Sequence, residues 1–187
     1  MPVPSDAELG PLAALAGSWE GDKGVDVSYH HAEGEIIETP YREKVELKPF
    51  GPVDNGTQTL FGLDYRMAAY KQGEDEPFHT EVGYWLWDAA AGQVMRCFMV
   101  PRGQVVIAGG TASADSTTLE MSAKTGSNTY GILSNQYLAE YSTTPDYSVT
   151  INVGDGEWSY EETTVYEVKA KGLTIQHTDR NTLRKVG

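Results

Sequence analysis

The sequence predicts an all-β chain: a single closed, antiparallel, up-and-down β-barrel of about ten strands, with a short N-terminal helix capping one end. Three observations predict it. Helical periodicity is confined to the N-terminus and disappears from Trp19 onward. The rest divides into stretches in which apolar and polar residues alternate, the signature of strands with one wet face. Gly, Asp, Asn and Pro punctuate those stretches at nearly all-β spacing. Sequential strands joined by short turns form a meander, and closing the sheet removes its exposed edges. An open two-sheet sandwich is the structural alternative. The 187 residues fit one domain, 1–187, large enough to bury roughly 70% of the unfolded surface.

The elements follow in order. Ser5 or Asp6 caps the helix and Glu8 completes a capping box. Leu9, Leu12, Ala13 and Leu15 form its apolar stripe, and Gly17 ends it. Strands are expected over Glu35–Leu47, Gln58–Lys71, Thr80–Trp87, Gln93–Val100, Val105–Thr111, Thr117–Ser122, Gln136–Ser142, Tyr147–Val153, Trp158–Lys169 and Leu173–Val186. The turns between them include Gly51-Pro52-Val53-Asp54-Asn55-Gly56, Gln72-Gly73-Glu74-Asp75, Ala91-Gly92, Gly154-Asp155-Gly156 and Lys171-Gly172. Alternation sets Tyr41, Val45 and Leu47 against Arg42, Lys44, Glu46 and Lys48. It likewise sets Tyr160, Thr164, Tyr166 and Val168 against Glu161, Thr163, Glu167 and Lys169. A barrel of this strand count is wide enough for a ligand cavity.

Composition narrows the partners. Lys+Arg is 14 against Asp+Glu 27, a net charge of -13, which opposes nucleic acid and anionic membranes because both require a basic footprint. The single cysteine, Cys97, excludes an internal disulfide and a cysteine-rich metal site. The opening Met1-Pro2-Val3-Pro4-Ser5-Asp6 has neither the basic start nor the apolar run of a secretory signal, and no stretch is long and apolar enough to span a bilayer. The expected setting is a reducing cytoplasm.

The last strand carries the candidate site. Leu173, Ile175, His177 and Leu183 share one parity; Thr174, Gln176, Thr178, Arg180, Thr182 and Arg184 share the other. A histidine on the core-facing side is either a hydrogen-bonded core residue or the ligand of something held inside. Asp179 and Asn181 share its parity and read as a polar patch at the barrel mouth. His79 shares the parity of Glu81, Trp85 and Trp87 and reads as a structural hydrogen-bonding residue. His30-His31 reads as a loop pair beside the pocket entrance. Met95, Phe98 and Val100 line a cavity or fill it, and Arg102 reads as an exposed turn residue or the partner of an anionic group. The block Tyr84-Trp85-Leu86-Trp87 is apolar on both faces, as expected of a buried strand or of a homodimer contact. No nucleophile elbow, phosphate loop or zinc spacing is present, so no catalytic side chain is expected.

Leu15-Ala16-Gly17-Ser18-Trp19-Glu20-Gly21 after a short helix looks like the opening of lipocalin-type and fatty-acid-binding-type barrels. More specifically, the chain resembles the nitrobindin family of small haem-binding β-barrels. That family opens with Gly-x-Trp-x-Gly-x-Gly; here Gly17, Trp19 and Gly21 match, Lys23 stands at the third glycine and Gly24 follows one place later. Val27-Ser28-Tyr29-His30-His31 stands where a Tyr-Pro-Thr element is usual. Pro77-Phe78-His79-Thr80-Glu81-Val82-Gly83-Tyr84 is similar to the family's Pro-x-His-x-Glu-x-Gly-aromatic stretch, and the segment ending Leu183-Arg184-Lys185-Val186 resembles its closing strand.

The resemblance implies haem b in the cavity, an axial histidine from the closing strand, and nitric-oxide binding or isomerisation of peroxynitrite to nitrate. His177 is then the metal ligand, and Trp19 packs the macrocycle. Aligning the chain ends without a gap puts Thr178 at the ligand position instead. A one-residue slip reverses the face, so a β-bulge would be needed to reconcile the two. The competing function is a haem-free carrier or sensor of a small hydrophobic ligand.

Overall fold

The computed structural model describes residues 3–186. Met1, Pro2 and Gly187 lie outside the described residues; the first two belong to the stretch read above as lacking a secretory signal. Helix α1, Asp6–Leu9, carries its capping box: Glu8 Oε2 accepts hydrogen bonds from the Ser5 N–H at 2.8 Å and the Ser5 hydroxyl at 2.7 Å. The α-helix stops at Gly10 rather than at Gly17, and a 3₁₀ turn over Gly10–Leu15 continues it. Gly10 has φ +53°, and a Cβ there would lie 2.5 Å from Trp87 Nε1, so only glycine lets the chain turn against the barrel plug at this point. Leu9, Leu12 and Leu15 are buried beneath it, and the Trp19 indole N–H donates to Leu15 O at 2.8 Å.

Eleven strands follow: β1 Gly17–His30, β2 Glu35–Asn55, β3 Gln58–Lys71, β4 His79–Asp88, β5 Gln93–Val100, β6 Gln104–Thr111, β7 Thr118–Thr125, β8 Gly131–Ser134, β9 Asp146–Val153, β10 Glu157–Val168 and β11 Leu173–Lys185. They close into a barrel in the order β1-β11-β10-β9-β7-β8-β6-β5-β4-β3-β2. The β1–β2 pair seals it, which excludes the open sandwich. All pairs are antiparallel except β7–β8, where Lys124 faces Gly131 in a parallel step.

Four elements differ from expectation, the first being β1 itself, since no strand is expected before Glu35. Gln136–Ser142 is not a strand. Helix α2, Gln136–Tyr141, takes its place, because the Asn135 side chain caps it by accepting the Leu138 N–H at 2.9 Å. The Gly51–Gly56 turn lies mostly inside β2. The hairpin closes at Asn55↔Gln58, and Gly51-Pro52 is absorbed as an irregularity between Phe50 and Val53. Gly131–Ser134, outside every expected strand, is the short strand β8.

β1 runs from the capped end at Gly17 to an open end at His30. The capped half is filled by large side chains. Trp158 stands edge-on to both Trp19 and Trp85, with centroids 6.3 and 6.0 Å apart. The open half is hollow.

Candidate functional site

The hollow is a cavity of about 880 Å³ within the barrel, in the range of small-molecule and cofactor sites. Strand parity dictates its wall. β11 pairs with β10 without interruption from Arg184 to Leu173, so its odd positions all face inward. His177 and Asp179 therefore line the cavity. Thr178 sits on the opposite parity and is not a lining residue. No bulge interrupts β11; the irregularity lies in β1, between Glu20 and Val25. Trp19 is fully buried in the capped half and does not line the cavity. Its indole N–H is already committed to Leu15.

His177 is half-buried, and its Nε2 contacts the carboxylate of Asp26, which β1 presents from the neighbouring strand. Ser28 donates to the other oxygen of Asp26. Burial alone would neutralise the imidazole, but the Asp26 hydrogen bond and charge outweigh it and hold the His177 pKa above its ordinary value. Burial pushes Asp26 up, and His177 and Ser28 more than reverse that, so the carboxyl titrates below its usual range. Tyr166 meets the His177 ring edge-on at 6.4 Å.

Asp179 faces His177 across the wall and accepts a hydrogen bond from the Tyr41 hydroxyl. Among the described residues no ion pair within 4.0 Å neutralises it. Burial and the nearby charge of Glu162 therefore push its pKa up to about 8. Asp26, His177 and Asp179 offer three metal-ligating atoms within 4.8 Å of one another. No spacing in the sequence announces this grouping, because it joins two strands at opposite ends of the chain.

Below lies a second polar group that the sequence reading missed. Arg96, 5% exposed, reaches inward from β5. Its Nη1 donates to Glu162 and to the Tyr147 hydroxyl, both at 2.6 Å; its Nη2 donates to Glu81 at 2.7 Å and to the Tyr65 hydroxyl at 3.0 Å. Burial raises the carboxyl of Glu81, but the Arg96 guanidinium and then His79 pull it well below the usual range. His79 Nε2 lies 3.3 Å from Glu81 Oε1, so the structural role expected of His79 holds, with its ring also on the cavity wall. A third chain of contacts runs from Tyr41 to Tyr160 at 2.6 Å and from Tyr160 to Glu43 at 2.9 Å; Asn181 also donates to Glu43 at 2.9 Å. Glu43 is buried without a cation in contact, and burial lifts its pKa to about 7.

Apolar lining comes from Met67, Phe78, Phe98, Val100, Val106 and Leu138. Met95 is not among the lining residues: it shares the outward parity of Cys97, opposite Arg96 and Phe98. His30, His31 and Arg102 stand among the lining residues near the open end, as expected for the first two.

The model of the family described as "THAP4-like, heme-binding beta-barrel domain" matches residues 8–185. No curated protein matches the chain. Among solved structures, the "Crystal Structure of Rv2717c from M. tuberculosis" superimposes with a TM-score of 0.69 at 20% identity, covering 100% of both chains. That likeness carries the barrel fold.

Proposed function

The chain belongs to the THAP4-like haem-binding β-barrel domain family, and from that membership we propose that its lumen binds haem b, with the His177 imidazole as the protein ligand of the iron. The carrying observation is that imidazole on the wall of a cavity of about 880 Å³. The donor set fits the group. His177 supplies a nitrogen, and Asp26 holds its ring as a carboxylate partner, the usual support of a metal-bound histidine. The apolar lining of Met67, Phe78, Phe98, Val106 and Leu138 suits a macrocycle and excludes water from it, while Lys71 and Arg102 on the lining suit its carboxylates. When bound, haem would supply a Lewis-acidic iron for binding nitric oxide or for isomerising peroxynitrite. The chain's own part is to hold and orient the ring of His177, to keep solvent from the apolar wall, and to set charge around the ligand through Asp179 and the Arg96 group.

The charged wall favours one alternative, a haem-free lumen that carries a small polar molecule. Asp26, Glu81, Arg96, Glu162 and Asp179 all line the cavity, and such a wall suits a fatty-acid-like cargo less than a polar one. The cytoplasm belongs to the same proposal and accords with the free thiol of Cys97.

An absorption titration with hemin tests the haem reading. A saturable Soret band in the wild type, lost in His177→Ala and kept in Thr178→Ala, is the expected result. Absence of a band in the wild type moves the assignment to the haem-free carrier. An unchanged band in His177→Ala removes that histidine as ligand.

A further inference from the structure

Two carboxylates of the cavity wall stand in an arrangement that paired strands ordinarily avoid. β1 and β11 pair so that Asp26 lies directly opposite Asp179, with Val25 opposite Arg180 and Val27 opposite Thr178. Both aspartates line the cavity, so both point to the same side. Residues directly opposite on one face of an antiparallel pair have Cβ atoms about 5 Å apart, and like charges there repel. Simple alternation does not force this pair together. Trp19 and Asp26 have opposite parity in β1, yet both are buried, because the register shifts between Glu20 and Val25. The irregularity in β1 thus turns Asp26 onto the inner face, beside Asp179. The cations nearby do not balance the two. Among the described residues, the ion pair of His177 with Asp26 is the only one that reaches either aspartate. Arg96 is committed to Glu81 and Glu162. One imidazole therefore stands against two carboxylates.

We infer that Asp26, His177 and Asp179 form a binding site for a divalent first-row metal ion of the zinc, cobalt or manganese class. Their ligand atoms all lie within 4.8 Å of one another. Metal–ligand bonds of about 2.0–2.2 Å bring such atoms to roughly 3–3.5 Å apart, so small side-chain rotations complete the site. Each ligand is also oriented from behind, as metal ligands are. The Ser28 hydroxyl donates to Asp26 Oδ1 at 2.5 Å, which leaves Oδ2 on the side of His177. The Tyr41 hydroxyl donates to Asp179 Oδ1, which leaves Oδ2 for the ion. Tyr166 holds the His177 ring edge-on. One nitrogen with two carboxylate oxygens suits the borderline ions; calcium and magnesium prefer all-oxygen cages. Three protein ligands leave the ion a coordination position open to the cavity. This inference does not rest on haem binding. Ion and haem iron would draw on the same imidazole, so each excludes the other.

Calorimetric titration of the haem-free full chain with zinc chloride tests this, with calcium chloride in excess to occupy exterior carboxylates. The wild type is expected to bind one zinc ion per chain, and Asp26→Asn and Asp179→Asn are each expected to weaken binding at least about tenfold. The exterior control Glu120→Gln should bind as the wild type does. A second readout needs no variant: in the wild type the ring resonances of His177 should shift with zinc and reach their end point at one equivalent. A wild type that binds no zinc overturns the inference. So does binding that survives both aspartate substitutions, binding that is lost instead in His30→Ala or His31→Ala at the rim, or a His177 ring indifferent to zinc. Hemin absorption measured in parallel keeps the two readings apart. Zinc binding without a Soret band leaves the metal site standing and removes haem; a Soret band without zinc binding does the reverse.

Discussion

Strands β4 and β5 carry opposite chemistries on their two faces, and in the unexpected sense. Glu81, Arg96 and His79 point into the barrel, whereas Val82, Tyr84, Cys97 and Met99 point out. The inner charges persist because they are satisfied: Arg96 has two carboxylates and two phenols within 3.0 Å. The outer apolar side chains stay largely exposed, with Tyr84 meeting only the edge of Phe50 at 5.2 Å. The difference teaches that burial admits charge where it is paired, as at both terminal nitrogens of Arg96, even though Arg96 Nε is left without a partner. The exterior of β1–β2 shows the ordinary case. There Lys44 and Glu20 pair at 3.0 Å with both side chains about half exposed, and such pairs contribute about 0–1 kcal/mol.

The strongest way to break the comparison is to remove the inner cation. Arg96→Met removes the guanidinium that bridges Glu81 and Glu162, leaving Glu81 only His79 and the Tyr65 hydroxyl and Glu162 only the Tyr147 hydroxyl. A loss of about 3–5 kcal/mol is expected, read from urea unfolding. A loss below about 1 kcal/mol would mean that the inner face tolerates unpaired charge and that the contrast with the exterior is empty.

The second effect depends on pH. Glu43 keeps its proton to about pH 7 in the folded protein, against an ordinary value of 4.5. A group with a raised folded pKa contributes stability that is complete below its unfolded pKa and is lost as pH rises through the folded one. Wild-type stability should therefore fall between about pH 4.5 and 7 from this site, by on the order of 3 kcal/mol in all. Glu43→Gln removes that slope while keeping the side-chain volume. Denaturant midpoints across the pH range check it, and parallel curves for the two proteins would contradict it.

The smallest effects sharpen the outer half of the comparison. Tyr84→Arg should cost about 0.5–1.5 kcal/mol of protomer stability, the worth of its edge-on contact with Phe50. Lys44→Ala should cost less than about 1 kcal/mol. Thermal melts at low protein concentration measure both. A large loss on either substitution would show that the exterior carries protomer stability after all.

Much of this was legible in the chain. Period-two alternation predicts the closed barrel, and the parity of Leu173, Ile175 and Leu183 predicts that His177 faces the lumen. Parity could also have found Arg96, which stands between inward Val94 and Phe98, and Glu43, which stands between Tyr41 and Val45. A charge at an inward position was the available signal. The partner of His177 was not legible, because Asp26 lies 151 residues away in sequence and reaches the wall only through the irregularity between Glu20 and Val25 of β1. The family motif carries no hint that the Trp19 indole sits in the filled end of the barrel, where its N–H is taken by the Leu15 carbonyl four residues back. Gln136–Ser142 read as a strand because its apolar and polar residues fit either period over so short a length; the cap from Asn135 decides for helix.

The central claim is that His177 presents the imidazole that holds the family's cofactor inside this lumen. Chemical rescue tests it most directly. His177→Gly loaded with hemin should lack the wild-type Soret band and regain it when free imidazole is added, while Thr178→Gly should need no rescue. A His177→Gly protein whose band matches the wild type without imidazole, or a loss of the band that follows Thr178 instead, would contradict the account.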